Sequence, residues 1–129
     1  MGMYTEFLLK AEVKENVSQD IIEILEYLFG EGNEPKTFPD HPFFECSRWD
    51  CVGHMSSFYH IPWYSSKIDN GNALGTYYIF SRSDLKNYEG EIEKFLDWAQ
   101  PYLKPATGNV LGWTWYEEND GPTLIVCDR

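Results

Sequence analysis

Residues 4–14 alternate. Phe7, Leu9, Ala11 and Val13 fall on one side of an extended chain, and Glu6, Leu8, Lys10 and Glu12 on the other. One apolar side repeating every second residue is what a half-buried strand requires; a helix would spread the same residues around its circumference. This segment must therefore find an apolar layer to lie against, which limits the fold to architectures that cover one face of a sheet.

The rest of the chain supplies candidates for that layer. Residues 17–29 predict a helix, because Ile21, Leu25, Leu28 and Phe29 fall at i, i+4, i+7 and i+8 with Ile22 alongside. Asn16 or Ser18 can cap its start and Gly30 can end it. Residues 88–103 predict a second helix with the stripe Tyr88, Ile92, Phe95, Leu96, Ala99 and Leu103. Asn87 is placed to cap it, Glu89, Glu91 and Glu93 suit its positive end, and Pro101 should kink or end it.

Further strands are expected between and after the helices. Residues 30–42 carry Gly30, Gly32, Asn33, Pro35, Pro39, Asp40 and Pro42, which is loop chemistry. Residues 43–52 predict a second strand, with Asp50 and Gly53 marking a bulge or an end. An aromatic segment follows (Phe58, Tyr59, His60, Pro62, Trp63, Tyr64), then a turn at Asp69-Asn70-Gly71-Asn72. Residues 75–82 are β-prone and apolar on both sides, as an internal strand would be. The last expected unit is a hairpin, Val110–Glu118 and Pro122–Asp128, joined by Asn119-Asp120-Gly121. On its first strand Leu111, Trp113 and Trp115 should face one way and Val110, Thr114 and Tyr116 the other.

The predicted order is β-α-β-β-α-β-β. This is an α+β fold: a two-layer α/β sandwich with the ferredoxin-like β-α-β-β-α-β order plus a C-terminal hairpin strand, on a mainly antiparallel sheet. At 129 residues, with no repeat, linker or low-complexity tract, residues 1–129 read as one domain.

Composition narrows the function classes. A formal net charge of −11 opposes direct nucleic-acid binding, which draws on Lys and Arg, and opposes an anionic membrane surface. It permits a basic partner. No stretch approaches the roughly 20 apolar residues of a membrane span. The start, Met1-Gly2-Met3-Tyr4, lacks the charged and apolar regions of a secretion signal. Three widely spaced cysteines, Cys46, Cys51 and Cys127, do not form a disulfide framework, and reduced thiols in a cytoplasmic protein account for them.

Five Trp, nine Tyr and eight Phe are many for a core of this size, so an aromatic groove or interface is expected. Two helices cover one face of a sheet; the other face meets water or a partner. Trp49, Tyr77 or Tyr78, Trp113 and Trp115 are its expected walls, with Tyr59, Trp63 and Tyr64 in the loop above and Arg48 and Arg82 as polar anchors. Any one of these aromatics can equally fill the core. The first helix offers a separate surface. Six acidic and no basic residues lie between Glu15 and Glu34, and Asp20, Glu23 and Glu26 form an acidic face that is either simply solvated or docks a cationic protein.

Two chemical alternatives are available. Cys46, Cys51, His54 and His60 have thiol and imidazole donors for zinc, but no tight C-x2-C knuckle, and on a strand Cys46 and Cys51 would point to opposite faces. Cys51 with His54 or His60, or His41 with Asp40, could form a catalytic pair. No nucleophile elbow, HExxH or phosphate loop is present, and no metal or other cofactor is indicated.

The segments His41-Pro42-Phe43-Phe44 with Ser47-Arg48-Trp49-Asp50, Leu85-Lys86-Asn87-Tyr88 with Glu91-Ile92-Glu93-Lys94-Phe95-Leu96-Asp97-Trp98, and Pro122-Thr123-Leu124-Ile125 resemble a set of small, uncharacterised bacterial proteins, some carried by phage or mobile elements. The resemblance implies a bacterial cytoplasmic setting and brings no activity, cofactor or functional residue.

The sequence thus points to a non-enzymatic binding protein that uses an aromatic sheet face and forms a homodimer by packing open faces together. An acidic immunity-type inhibitor or nucleic-acid mimic directed at a basic protein, and a Cys/His enzyme, are the alternatives.

Overall fold

The alternating segment forms β1 (Thr5–Val13), and it lies in the middle of the sheet. The computed structural model describes residues 4–30, 32–53, 66–70 (as backbone), 77–105 and 108–127. The chain continues through α1 (Gln19–Phe29), β2 (Ser66–Asn70), β3 (Tyr77–Leu85), α2 (Glu91–Ala99), β4 (Leu103–Pro105), β5 (Val110–Tyr116) and β6 (Thr123–Val126). Among the described residues the strands form one sheet in the order β2-β3-β1-β5-β6, and short β4 pairs with the C-terminal end of β1. Every described pairing is antiparallel. The protein is α+β with a mainly antiparallel sheet, as the hydrophobic pattern predicts.

The period-2 side of β1 is fully used. Phe7, Leu9, Ala11 and Val13 are all buried, and they meet Ile24, Leu25, Leu28 and Phe29 of α1 and Ile92, Phe95 and Ala99 of α2 in one core. Both helices therefore cover the same face. Burying each such Leu, Ile or Phe contributes about 1.5–3 kcal/mol. Phe95 joins the layers through ring contacts with Phe7 at 6.0 Å, Phe29 at 5.6 Å and Phe43 at 5.4 Å.

The helices end where their termini can be satisfied. α1 stops as Gly30 N–H donates to Glu26 O at 2.9 Å, whereas Ser18 makes no side-chain cap. α2 is shorter than its stripe suggests. Asn87 and Gly90 take left-handed backbone angles, so the helix begins at Glu91 and leaves Tyr88 exposed in the turn before it. Asn87 still caps it: its Oδ1 accepts from Ile92 N at 2.8 Å and its Nδ2 donates to Glu93 Oε1 at 2.9 Å. Pro101 falls in a 3-10 turn, Gln100–Tyr102, after which Leu103 enters β4 instead of continuing the helix.

Residues 43–52 are not a strand. They form two 3-10 turns, Pro42–Glu45 and Trp49–Val52. Pro42 fits the first position of such a turn, and His41 Nδ1 accepts from Phe43 N at 3.0 Å to cap it. A strand would send Phe43 and Phe44 to opposite faces, yet both reach Trp98, at 6.0 and 5.1 Å. Ser83 Oγ of β3 donates to Val52 O at 2.7 Å and fastens the second turn to the sheet. The strand beside β3 is instead β2, which begins before the turn expected at 69–72.

One irregularity re-aims β5. A bulge between Val110 and Gly112 turns Leu111 into the core, where it is fully buried, while Trp113 and Trp115 stay on the opposite side. The expected grouping of Leu111 with the two tryptophans is thereby corrected. Gly112 allows the bulge because a Cβ there would lie 1.8 Å from Leu8 O.

Candidate functional site

Residues paired directly across antiparallel strands share a face. From β1, the helix-free face carries Glu6, Leu8, Lys10 and Glu12. The pairing then places Tyr78, Phe80, Arg82 and Asp84 of β3 beside them, and Trp113 and Trp115 of β5 on the other flank. Leu124 pairs with Trp113, and Val126, two residues on, faces the same way. One row crosses four strands as Arg82, Leu8, Trp113 and Leu124.

This face is open. Tyr78 (41%), Phe80 (48%), Trp115 (36%), Leu124 (57%) and Val126 (58%) are five of the seven exposed large hydrophobic side chains among the described residues. Folded chains seldom leave that much apolar surface together without a use for it. The face is also held in place by polar contacts. Glu6 Oε2 accepts from Trp113 Nε1 at 3.3 Å and pairs with Arg82 Nε at 3.3 Å. Trp115 Nε1 donates to Asn119 O at 2.9 Å, which fixes that indole over the hairpin turn. Glu12 pairs with Lys104 at 3.4 Å. Asp84, directly opposite Glu6, is buried, and burial, with the Glu6 charge next, pushes its carboxyl above the usual range.

Tyr78, Arg82, Trp113 and Trp115 therefore come together on this face. Trp49 does not join them. Because residues 43–52 coil into turns on the helix side, its ring packs there against Phe44 at 5.2 Å, Phe38 at 5.3 Å and Tyr27 at 5.8 Å. Arg48 goes with it, lining a small cavity of about 30 Å³ with Tyr4, Cys51 and Leu85. Tyr59, Trp63 and Tyr64 lie outside the described residues. Phe80, Leu124 and Val126 belong to the face and were not singled out from the sequence. Their signal was parity: Phe80 shares it with Tyr78, and Val126 with Leu124.

The acidic surface is separate. Asp20, Glu23 and Glu26 of α1 line one wall of a groove of about 560 Å³, and the loop from Gly32 to Thr37 forms the other, adding Glu34 and one cation, Lys36.

Among the described residues the catalytic and metal alternatives find little geometry. His41 pairs with Asp97, at 2.8 Å from Nε2, and not with Asp40; its other nitrogen holds Phe43 N–H. Both ring nitrogens are thus engaged in structure. Cys46 and Cys51 are free thiols, and burial pushes both up, away from the reactive thiolate. His54 and His60 lie outside the described residues, and no group of three or more metal-binding side chains occurs among those described. No helix among the described residues is long and apolar enough to cross a membrane. No family model, curated protein or solved structure matches the chain.

Proposed function

We propose that this chain is a non-enzymatic binding protein whose working surface is the helix-free sheet face, and that it self-associates as a homodimer. The observation that carries the proposal is the gathering of Tyr78, Phe80, Trp115, Leu124 and Val126, all exposed, on one side of one sheet. Trp and Tyr bury large areas on contact while offering a polar edge, which suits them to interfaces. The engaged imidazole of His41 and the raised thiols support a binding role over acid–base or thiol chemistry. The strand order supports reading β1, α1, β2, β3, α2 and β5 as a ferredoxin-like unit, with β6 added by the hairpin. The bacterial cytoplasmic setting implied by the sequence resemblance belongs to the same proposal.

Sedimentation velocity from micromolar to near-millimolar concentration tests it. The wild-type chain is expected to dimerise, and a triple variant Phe80→Ser, Trp115→Ser, Leu124→Ser to remain monomeric with unchanged far-UV circular dichroism. A wild-type chain that is monomeric throughout, or a variant that associates as well as wild type, defeats the reading.

The groove beside α1 favours a second reading. Asp20, Glu23, Glu26 and Glu34 around one concavity would suit a cationic protein, as in an immunity-type inhibitor or a nucleic-acid mimic. Such binding would be fast and would weaken steeply with salt; affinity for a basic protein that holds unchanged at high salt removes it.

A further inference from the structure

We infer that the second copy joins strand to strand along β6, across a twofold axis through Ile125, and not by packing the two sheet faces together. The inference rests on the self-association proposed above and concerns where it happens.

The sheet ends at β6 in the described strand order. An edge strand offers one side of its backbone N–H and C=O groups to any extended partner. Proteins usually guard such edges with a lysine, an internal proline or a bulge. Thr123-Leu124-Ile125-Val126 itself has none of these, the bulge opposite it lying in β5, and Leu124 and Val126 are 57% and 58% exposed.

Charge points to the same place. In a chain of net charge −11, two copies repel each other over most of their surface. From Pro122 to Cys127 there is no charged residue. The middle of the helix-free face is different: Glu6, Lys10, Glu12 and Arg82 stand on β1 and β3. Packing face on face would strip water from these groups, a cost that ion pairing seldom recovers. Pairing at β6 leaves them in water.

The register is self-consistent. Antiparallel partners must share a face, so a twofold axis between two copies of one strand has to pass through a residue. An axis through Leu124 would set Pro122, which has no N–H, against Val126. An axis through Ile125 sets Leu124 opposite Val126 of the second copy and Ile125 opposite itself over the helix-covered side. The row Leu8, Trp113, Leu124 then continues into Val126 and Val110 of the second copy, since those two residues are partners within each chain. Two outer faces become one continuous surface, still open to a ligand.

Sedimentation equilibrium of the full chain and two pairs of variants decides the matter. Leu124→Lys and Val126→Lys should each raise the dimer dissociation constant by about tenfold or more, because a lysine on an edge opposes strand pairing. Tyr88→Lys, in the exposed turn before α2, should leave it unchanged, and Phe80→Lys, on the same face but three strands from β6, should raise it less than either β6 variant. Amide exchange in Thr123–Val126 should slow as concentration rises. A dimer that survives Val126→Lys and dissociates in Phe80→Lys overturns edge pairing while leaving the sheet-face reading intact. A wild-type chain that stays monomeric overturns both.

Discussion

Asp84 is the residue whose position is hardest to reconcile with its chemistry. It stands across from Glu6, is 5% exposed, and lies near a third carboxylate, Glu117. Like charges directly opposite on a sheet are destabilising. Burial and these neighbours raise its pKa, with Arg82 only partly opposing them. The folded state then holds the proton more tightly than the unfolded chain. That contribution to stability is complete below the ordinary carboxylate pKa and is lost as pH rises through the raised one. Asp84→Asn should therefore be no less stable than wild type at neutral pH. The difference in unfolding free energy, variant minus wild type, should grow with pH across that window and then level off. Urea titrations from acid to neutral pH measure it; a difference that stays flat or falls would rule out this account. The sequence concealed the problem, because the strand expected at 75–82 stops short of Asp84 and only the pairing with β1 places Glu6 beside it.

Among the elements, those with a period were legible and those shaped by a single contact were not. β1 and α1 follow from spacing, since a solvent boundary imposes spacing directly, while β3 follows from its β-prone residues and the C-terminal hairpin from its turn. The turns at Pro42–Glu45 and Trp49–Val52 were misread as a strand because aromatic richness is shared by strands and by ring clusters. What decides between them is tertiary: Phe43 and Phe44 both have Trp98 to pack on. The start of α2 was likewise set by the left-handed turn at Asn87 and Gly90 and not by the stripe. In β5 the bulge separated Leu111 from Trp113, so the predicted alternation failed at the one place where Gly112 permits close backbone approach. Gly112→Ala should cost roughly 2 kcal/mol or more, because its Cβ would collide with the Leu8 carbonyl in the neighbouring strand. Denaturant midpoints check this, and a variant as stable as wild type would show that the bulge can relax.

At the scale of the molecule, the acidic groove and the open apolar face are segregated. The acidic groove lies beside α1, and Tyr78, Phe80 and Trp115 stand exposed on the far side of the sheet, while Phe38 is exposed among the rings around Trp49. The sequence showed both populations but could not say which tryptophans faced outward: Trp98 is buried and Trp49 is packed on the helix side, while Trp113 and Trp115 lie on the open face. The segregation gives the two proposed interactions opposite salt responses. Screening weakens repulsion between two chains of charge −11, so added salt should strengthen the dimer; the same screening should weaken capture of a basic protein at the groove. A dimer that dissociates as salt rises would contradict an uncharged contact at β6. The central place of β1 has a temporal meaning as well. Its neighbour on one side is β5, with Thr5 paired to Tyr116, so β1 leaves the ribosome long before this partner. Until then the apolar side of β1 has helices to cover it and β4 along its C-terminal end, but Thr5–Leu9 lack a partner on that edge and depend on the later hairpin to supply one.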